Sequence, residues 1–118
     1  MLLSDKEKIE GNNLIAEHMG WKIQKRDNPN CKNPITNKWE SNPVFKYDSS
    51  WDCLMPVVFK CHDEGLHFID SFTHCELHAW CDSNDNLYHN TCKEYEEVII
   101  LVWNAVVEFI KWNKTCNL

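Results

Sequence analysis

Thr91-Cys-Lys-Glu-Tyr-Glu-Glu-Val98-Ile-Ile-Leu-Val-Trp-Asn-Ala-Val-Val107-Glu-Phe-Ile-Lys-Trp-Asn113 carries the strongest structural signal in the chain. Thr91 with Glu94 three residues on is a capping box, which satisfies orphan amides at a helix start. The run Val98–Val107 is apolar on every side of a helix, and such a helix is buried all round. It is too short for a bilayer span, which needs about 20 apolar residues; Asn104 also interrupts it and Glu108 follows it. In a chain of 118 residues, everything else must wrap this helix.

Working outward, Leu66–Phe72 and Cys75–Cys81 read as strands. In the second, Cys75, Leu77, Ala79 and Cys81 alternate with Glu76, His78 and Trp80. Asp82-Ser-Asn-Asp-Asn86 is a turn cluster, and Leu87–Asn90 returns as a third strand, antiparallel because the connection is short. Ser49-Ser-Trp-Asp52 opens a helix ended by Gly65, with Pro56 expected to bend it near Asp52. Ser4–Met19 is a first helix, weakened at Gly11 and stopped by Gly20, and Trp21–Ile23 is a short strand. Residues 24–43, with Asn28-Pro29, Asn33-Pro34 and Asn42-Pro43, read as a long loop pinned by Trp39. The expected architecture is α+β: one domain over 1–118, an α/β/α sandwich with a small, mostly antiparallel sheet and a long C-terminal helix.

Net charge is −6, and Arg26 is the one arginine among twelve basic residues. No basic stripe or arginine fork is present, so a nucleic-acid partner is not expected. Met1-Leu-Leu is followed at once by Ser4-Asp-Lys-Glu-Lys8, where a secretion signal would stay apolar. Seven cysteines, an odd number, then read as free thiols in a reducing cytoplasm.

The densest polar cluster gathers histidines and cysteines around the hairpin. Zinc needs four nitrogen or sulfur ligands in a tetrahedron. His74 and His78 share one strand face, and His89 and Cys92 approach from the next segment, but no Cys-x-x-Cys pair anchors them. No metal or other cofactor is expected. Cys92 in a first helical turn with His89 three residues before it is the best nucleophile–base pair available. It lacks any further catalytic motif, and the chain is not read as an enzyme. The aromatics favour binding instead. Trp103 and Trp112 lie on roughly opposite sides of the last helix, about 180° apart, and Lys111 and Lys114 flank Trp112. An aromatic plate with cations beside it suits a nucleobase and its phosphate, so Trp112, Lys111, Lys114 and Trp103 are the candidate ligand-binding residues.

Three segments carry a resemblance: Gly11-Asn-Asn-Leu-Ile-Ala-Glu-His-Met-Gly20, Ser50-Trp-Asp-Cys-Leu-Met-Pro-Val-Val58 and Val102-Trp-Asn-Ala-Val-Val-Glu-Phe-Ile-Lys-Trp112. Together they resemble the phage ABA sandwich family of small phage and prophage proteins. The resemblance spans most of the chain outside 24–43 and 73–90. It departs at Cys53 and Phe59, where the family pattern has Trp and Glu, and it leaves Phe59 as an exposed apolar residue that would mark an interface. It implies an α/β/α sandwich and residence in the host bacterial cytoplasm, without an established activity. Two readings stay open. One is a homo-oligomeric counter-defence sponge that sequesters a cyclic nucleotide or cyclic ADP-ribose-type immune signal, by architectural analogy with other phage proteins. The other is a module that inhibits or redirects a host protein, for instance a defence protein, and contacts it through 24–43 or the Trp112 end.

Overall fold

The computed structural model describes residues 3–71, 76–82, 84–91 and 98–116. In chain order these form α1 (Asp5–His18), β1 (Lys22–Ile23), β2 (Asn30–Lys32), β3 (Trp39–Ser41), α2 (Trp51–Asp63), β4 (His67–Ser71), β5 (Glu76–Cys81), β6 (Asn84–Thr91) and α3 (Val98–Cys116). The fold is α+β, with two antiparallel three-stranded sheets and a long C-terminal helix.

α3 is buried over most of its circumference, through residues that include Leu101, Val102, Trp103, Ala105, Val106, Phe109 and Ile110, while Asn104 and Glu108 are half-buried and Lys111 is exposed on the remaining face. On one side it meets β5 and β6, and on others α1 and α2, which both make their main helix contacts with it. The broad apolar surface of α3 is thus covered by β5 and β6 and by α1 and α2. Each fully covered side chain, such as Ile15, Leu54, Leu77 or Phe109, contributes about 1.5–3 kcal/mol by leaving water. Among the described residues, no helix is long and apolar enough to cross a membrane.

α1 runs from Asp5 straight through Gly11 to His18. Ser4 accepts from the Glu7 amide, and the Glu7 carboxylate accepts from the Ser4 amide, so a capping box starts the helix at Asp5. α2 runs unbroken through Pro56 to Asp63. Both helices stop at a glycine with positive φ, Gly20 at +103° and Gly65 at +111°. The next amide in each case reaches back over the last turn, Trp21 to the Ala16 carbonyl and Leu66 to that of Cys61. The Thr91–Glu94 capping box rests on residues 92–97, which lie outside the described residues.

Residues 24–43 are not a loop. They hold β2 and β3, which with β1 form a small meander. Asparagine-rich turns hide these strands from a reading by composition. Asn28, Asn37 and Asn42 take positive φ of 50°, 65° and 44°, a conformation asparagine tolerates better than most residues. The Asn33 side-chain oxygen, Oδ1, accepts from the Ile35 and Thr36 amides, closing the β2–β3 turn. Trp39, expected to pin the segment, is 53% exposed. In the larger sheet, Leu77, Ala79 and Cys81 are buried and Glu76, His78 and Trp80 half-buried, as the alternation requires. The hairpin connection is tighter than the Asp82–Asn86 cluster suggested, because β6 starts at Asn84, which pairs with Cys81 beside a register shift.

Candidate binding site

The side of the molecule away from the larger sheet is organised around Asn12, a buried polar residue of α1. Its carbonyl oxygen accepts from the Trp103 indole N–H at 2.8 Å. Its amide nitrogen donates to the Phe45 carbonyl at 3.1 Å and to the Asp48 carboxylate at 2.9 Å. One side chain thus joins α1, α3 and the 45–48 segment. Gly11 beside it lets the Trp103 ring lie directly on the α1 backbone. Held this way, Phe45 meets Trp21 edge-on, with ring centroids 4.9 Å apart, and stacks with Tyr47 at 6.0 Å.

The three rings wall a cavity of about 530 Å³ that also takes in Met19, Ile35, Cys53 and Pro56. Burial raises the Tyr47 hydroxyl above its ordinary pKa, with the nearby Cys53 adding to the shift. Val44 and Phe45 form a ridge, with a second cavity of about 310 Å³ beyond them, bounded by Ile9, Asn13 and Cys31. Large apolar side chains are left in water here: Val44 on the ridge is 80% exposed, and Ile35 and Ile9 in the two flanking cavities are 92% and 60% exposed. Residues from two of the family-like segments meet here, Met19 from the first and Cys53 with Pro56 from the second.

Trp103, Lys111, Trp112 and Lys114 form no such site. Trp103 is 2% exposed and acts as a core residue. Trp112 is half-buried against the core cluster. Lys111 lies 3.8 Å from Glu108 and Lys114 3.8 Å from Glu17. A cavity of about 340 Å³ touches Trp103 and Lys111, but Glu7, Glu10 and Glu108 line it as well. That excess of carboxylates disfavours a phosphate. His78 and His89 do meet, as direct cross-strand neighbours with ring centroids 5.3 Å apart. They belong to a row of rings in which His62 contacts His67, His67 stacks on Trp80 and Trp80 leans on His78. His78 already contacts the Asp85 carbonyl, and His89 pairs with Glu76 at 2.5 Å. His74 and Cys92 lie outside the described residues. Phe59 is 63% exposed.

The thiols divide by burial. Cys61 is fully buried, and that burial, reinforced by Glu64, pushes its pKa up to about 12. Although it lies near His18 and Glu64, a thiol so hard to ionise is no nucleophile. Burial also raises Cys31, with Glu40 adding to the shift. Cys53 and Cys116 are exposed. Brief alkylation followed by peptide mass mapping is expected to modify Cys53 and Cys116 and leave Cys31 and Cys61 intact. Early modification of Cys61 would contradict the packing of α2 on α3.

A reading of the sequence missed Trp21, Phe45 and Tyr47 as a set because they lie on short irregular segments without periodicity. The available signal was Val44-Phe45 directly after Asn42-Pro43, an apolar pair in an otherwise polar stretch. No family model, curated protein or solved structure matches the chain.

Proposed function

We propose that this protein acts by binding rather than catalysis, as a phage-type accessory factor that grips a host protein through the Val44–Phe45 ridge. The observation that carries the proposal is the exposure of Ile35 and Val44 beside a ring-lined cavity of about 530 Å³. Exposed apolar side chains grouped around a pocket are costly in water and mark interaction sites. The cavity would receive an apolar or aromatic side chain of the partner, with Ile9 and Ile35 as flanking contacts. The 24–43 segment contributes to this face through Pro34 and Ile35.

The test is a side-by-side capture from host extract with the wild-type protein and the Ile35→Asp/Val44→Asp variant. Both positions are exposed, so the variant keeps its melting temperature to within a few degrees. A true partner is expected to lose affinity by about 100-fold, the scale set by two central contacts of about 1.4 kcal/mol each. A partner retained equally by both proteins binds elsewhere and removes this reading.

One observation favours the nucleotide reading as the alternative. Trp21, Phe45 and Tyr47 with Lys46 at the same cavity offer a base-stacking wall and a cation, in a volume suited to a small ligand. Such a sponge would be oligomeric and would return its ligand unaltered. Native mass spectra with cyclic nucleotides and ADP-ribose isomers read oligomer and ligand together. A stoichiometric complex that Tyr47→Ala abolishes would favour this alternative.

A further inference from the structure

The C-terminal ends of α1 and α2 bring together three side chains of different chemistry. His18 is the last residue of α1, and its Nε2 lies 2.6 Å from Glu64 Oε1, just past the end of α2. Cys61, one turn earlier, sits beneath them, and the ligand atoms of all three lie within 4.8 Å of one another. The Schellman turns at Gly20 and Gly65 end the two helices at this point. Lys60 reaches across and donates to the His18 carbonyl at 2.6 Å, holding the two helix ends together.

We propose that His18, Cys61 and Glu64 form a zinc site that staples α1 to α2. One imidazole nitrogen, one thiolate and one carboxylate suit zinc, with a water completing the tetrahedron on the open side. The charges close: a thiolate and a carboxylate neutralise the dication, so a half-buried site carries no net charge. As the metal binds, the thiol proton passes to solvent, and the proton held between His18 Nε2 and Glu64 Oε1 leaves as well, to Nδ1 of the same ring or to solvent. Ligand atoms in such a tetrahedron stand about 3.3–3.7 Å apart, given zinc–ligand bonds of about 2.0–2.3 Å. The His18–Glu64 pair must therefore open by less than about 1 Å. The Glu64 side chain can supply this, being 31% exposed, whereas His18 is 14% exposed and Cys61 fully buried. The metal would enter from the Glu64 side. It would reinforce the Lys60–His18 bond in tying the two helix ends together, and fix Met19, the next residue after His18, where the ring-lined cavity begins. The inference stands whether or not the partner proposed above is found.

The probe is cobalt(II), followed by competition with zinc, on the full reduced chain. One equivalent is expected to produce a thiolate-to-cobalt charge-transfer band with tetrahedral ligand-field bands, displaced by zinc, and zinc is expected to raise the melting temperature. Cys61→Ser is expected to abolish the charge-transfer band, and Glu64→Gln and His18→Gln each to weaken binding by roughly tenfold or more. Cys53→Ser and Cys116→Ser leave the spectrum unchanged. Because Cys61 is in the core, Glu64→Gln is the variant that tests the site without threatening the fold. The proposal is overturned if no charge-transfer band develops, if the band survives Cys61→Ser, or if Glu64→Gln and His18→Gln bind cobalt as tightly as the wild type.

Discussion

Gly11→Ala is expected to destabilise this protein by about 3 kcal/mol, the upper end of the usual cost of overpacking a core. The sign is the informative part. In a solvated helix the same change stabilises by roughly 0.5–1 kcal/mol, because alanine loses less backbone freedom on folding. Here a Cβ on residue 11 would fall inside the contact radii of Cζ2 and Cη2 of Trp103. That ring cannot retreat, since it is 2% exposed and its indole nitrogen is bonded to Asn12. Either α1 lifts from α3 or the ring leaves its rotamer. A drop of about 10 °C in melting temperature is the expected reading. Trp103→Phe removes the two atoms that collide, so the double variant should recover part of the loss. A Gly11→Ala protein as stable as the wild type would show that α1 does not lie on Trp103 as described.

Asn12→Ala is the second large effect, with an expected loss of about 2–4 kcal/mol. Alanine removes three hydrogen bonds at once and leaves the buried Trp103 N–H and the Phe45 carbonyl without their partner. An unsatisfied buried group costs more than the bond itself contributed. A double-mutant cycle with Trp103→Phe isolates the Asn12–indole bond, and a coupling of about 1–2 kcal/mol is expected. Additive effects in that cycle would mean the two side chains do not interact. The consequence reaches the binding face. Asn12 holds the main chain at Phe45, the central ring between Trp21 and Tyr47, so Asn12→Ala should also weaken any ligand of that cavity. Ile35→Asp/Val44→Asp, by contrast, should act on binding without a comparable loss of stability.

Both predictions turn residues that looked like something else into structural ones. Gly11 reads locally as a weak point in a helix, yet the glycine is what lets α3 come close. Trp103 reads as half of an aromatic plate, and it is a core residue whose N–H is bonded to Asn12. Lys111 and Lys114 look like phosphate ligands in one dimension, but each lies beside a carboxylate, and Glu17 comes from a distant helix. The paired histidines were nearer to plain view, because strand alternation and a short hairpin place His78 opposite His89 without reference to the rest of the fold.

The local signals were enough for the α+β class, the antiparallel hairpin, both glycine-terminated helices and the burial of α3. Periodicity, capping and turn chemistry act over a few residues, and those are all that such elements need. The tertiary structure alone decided that 24–43 folds as strands, and where the binding face and the His18–Cys61–Glu64 cluster fall. The Phe45 wall draws on chain positions from Met19 to Pro56, and the cluster joins residues 46 apart in sequence. Such juxtapositions depend on how α1 and α2 pack against α3, and that packing is set by shape and by the Asn12 bonds rather than by any pattern within one segment.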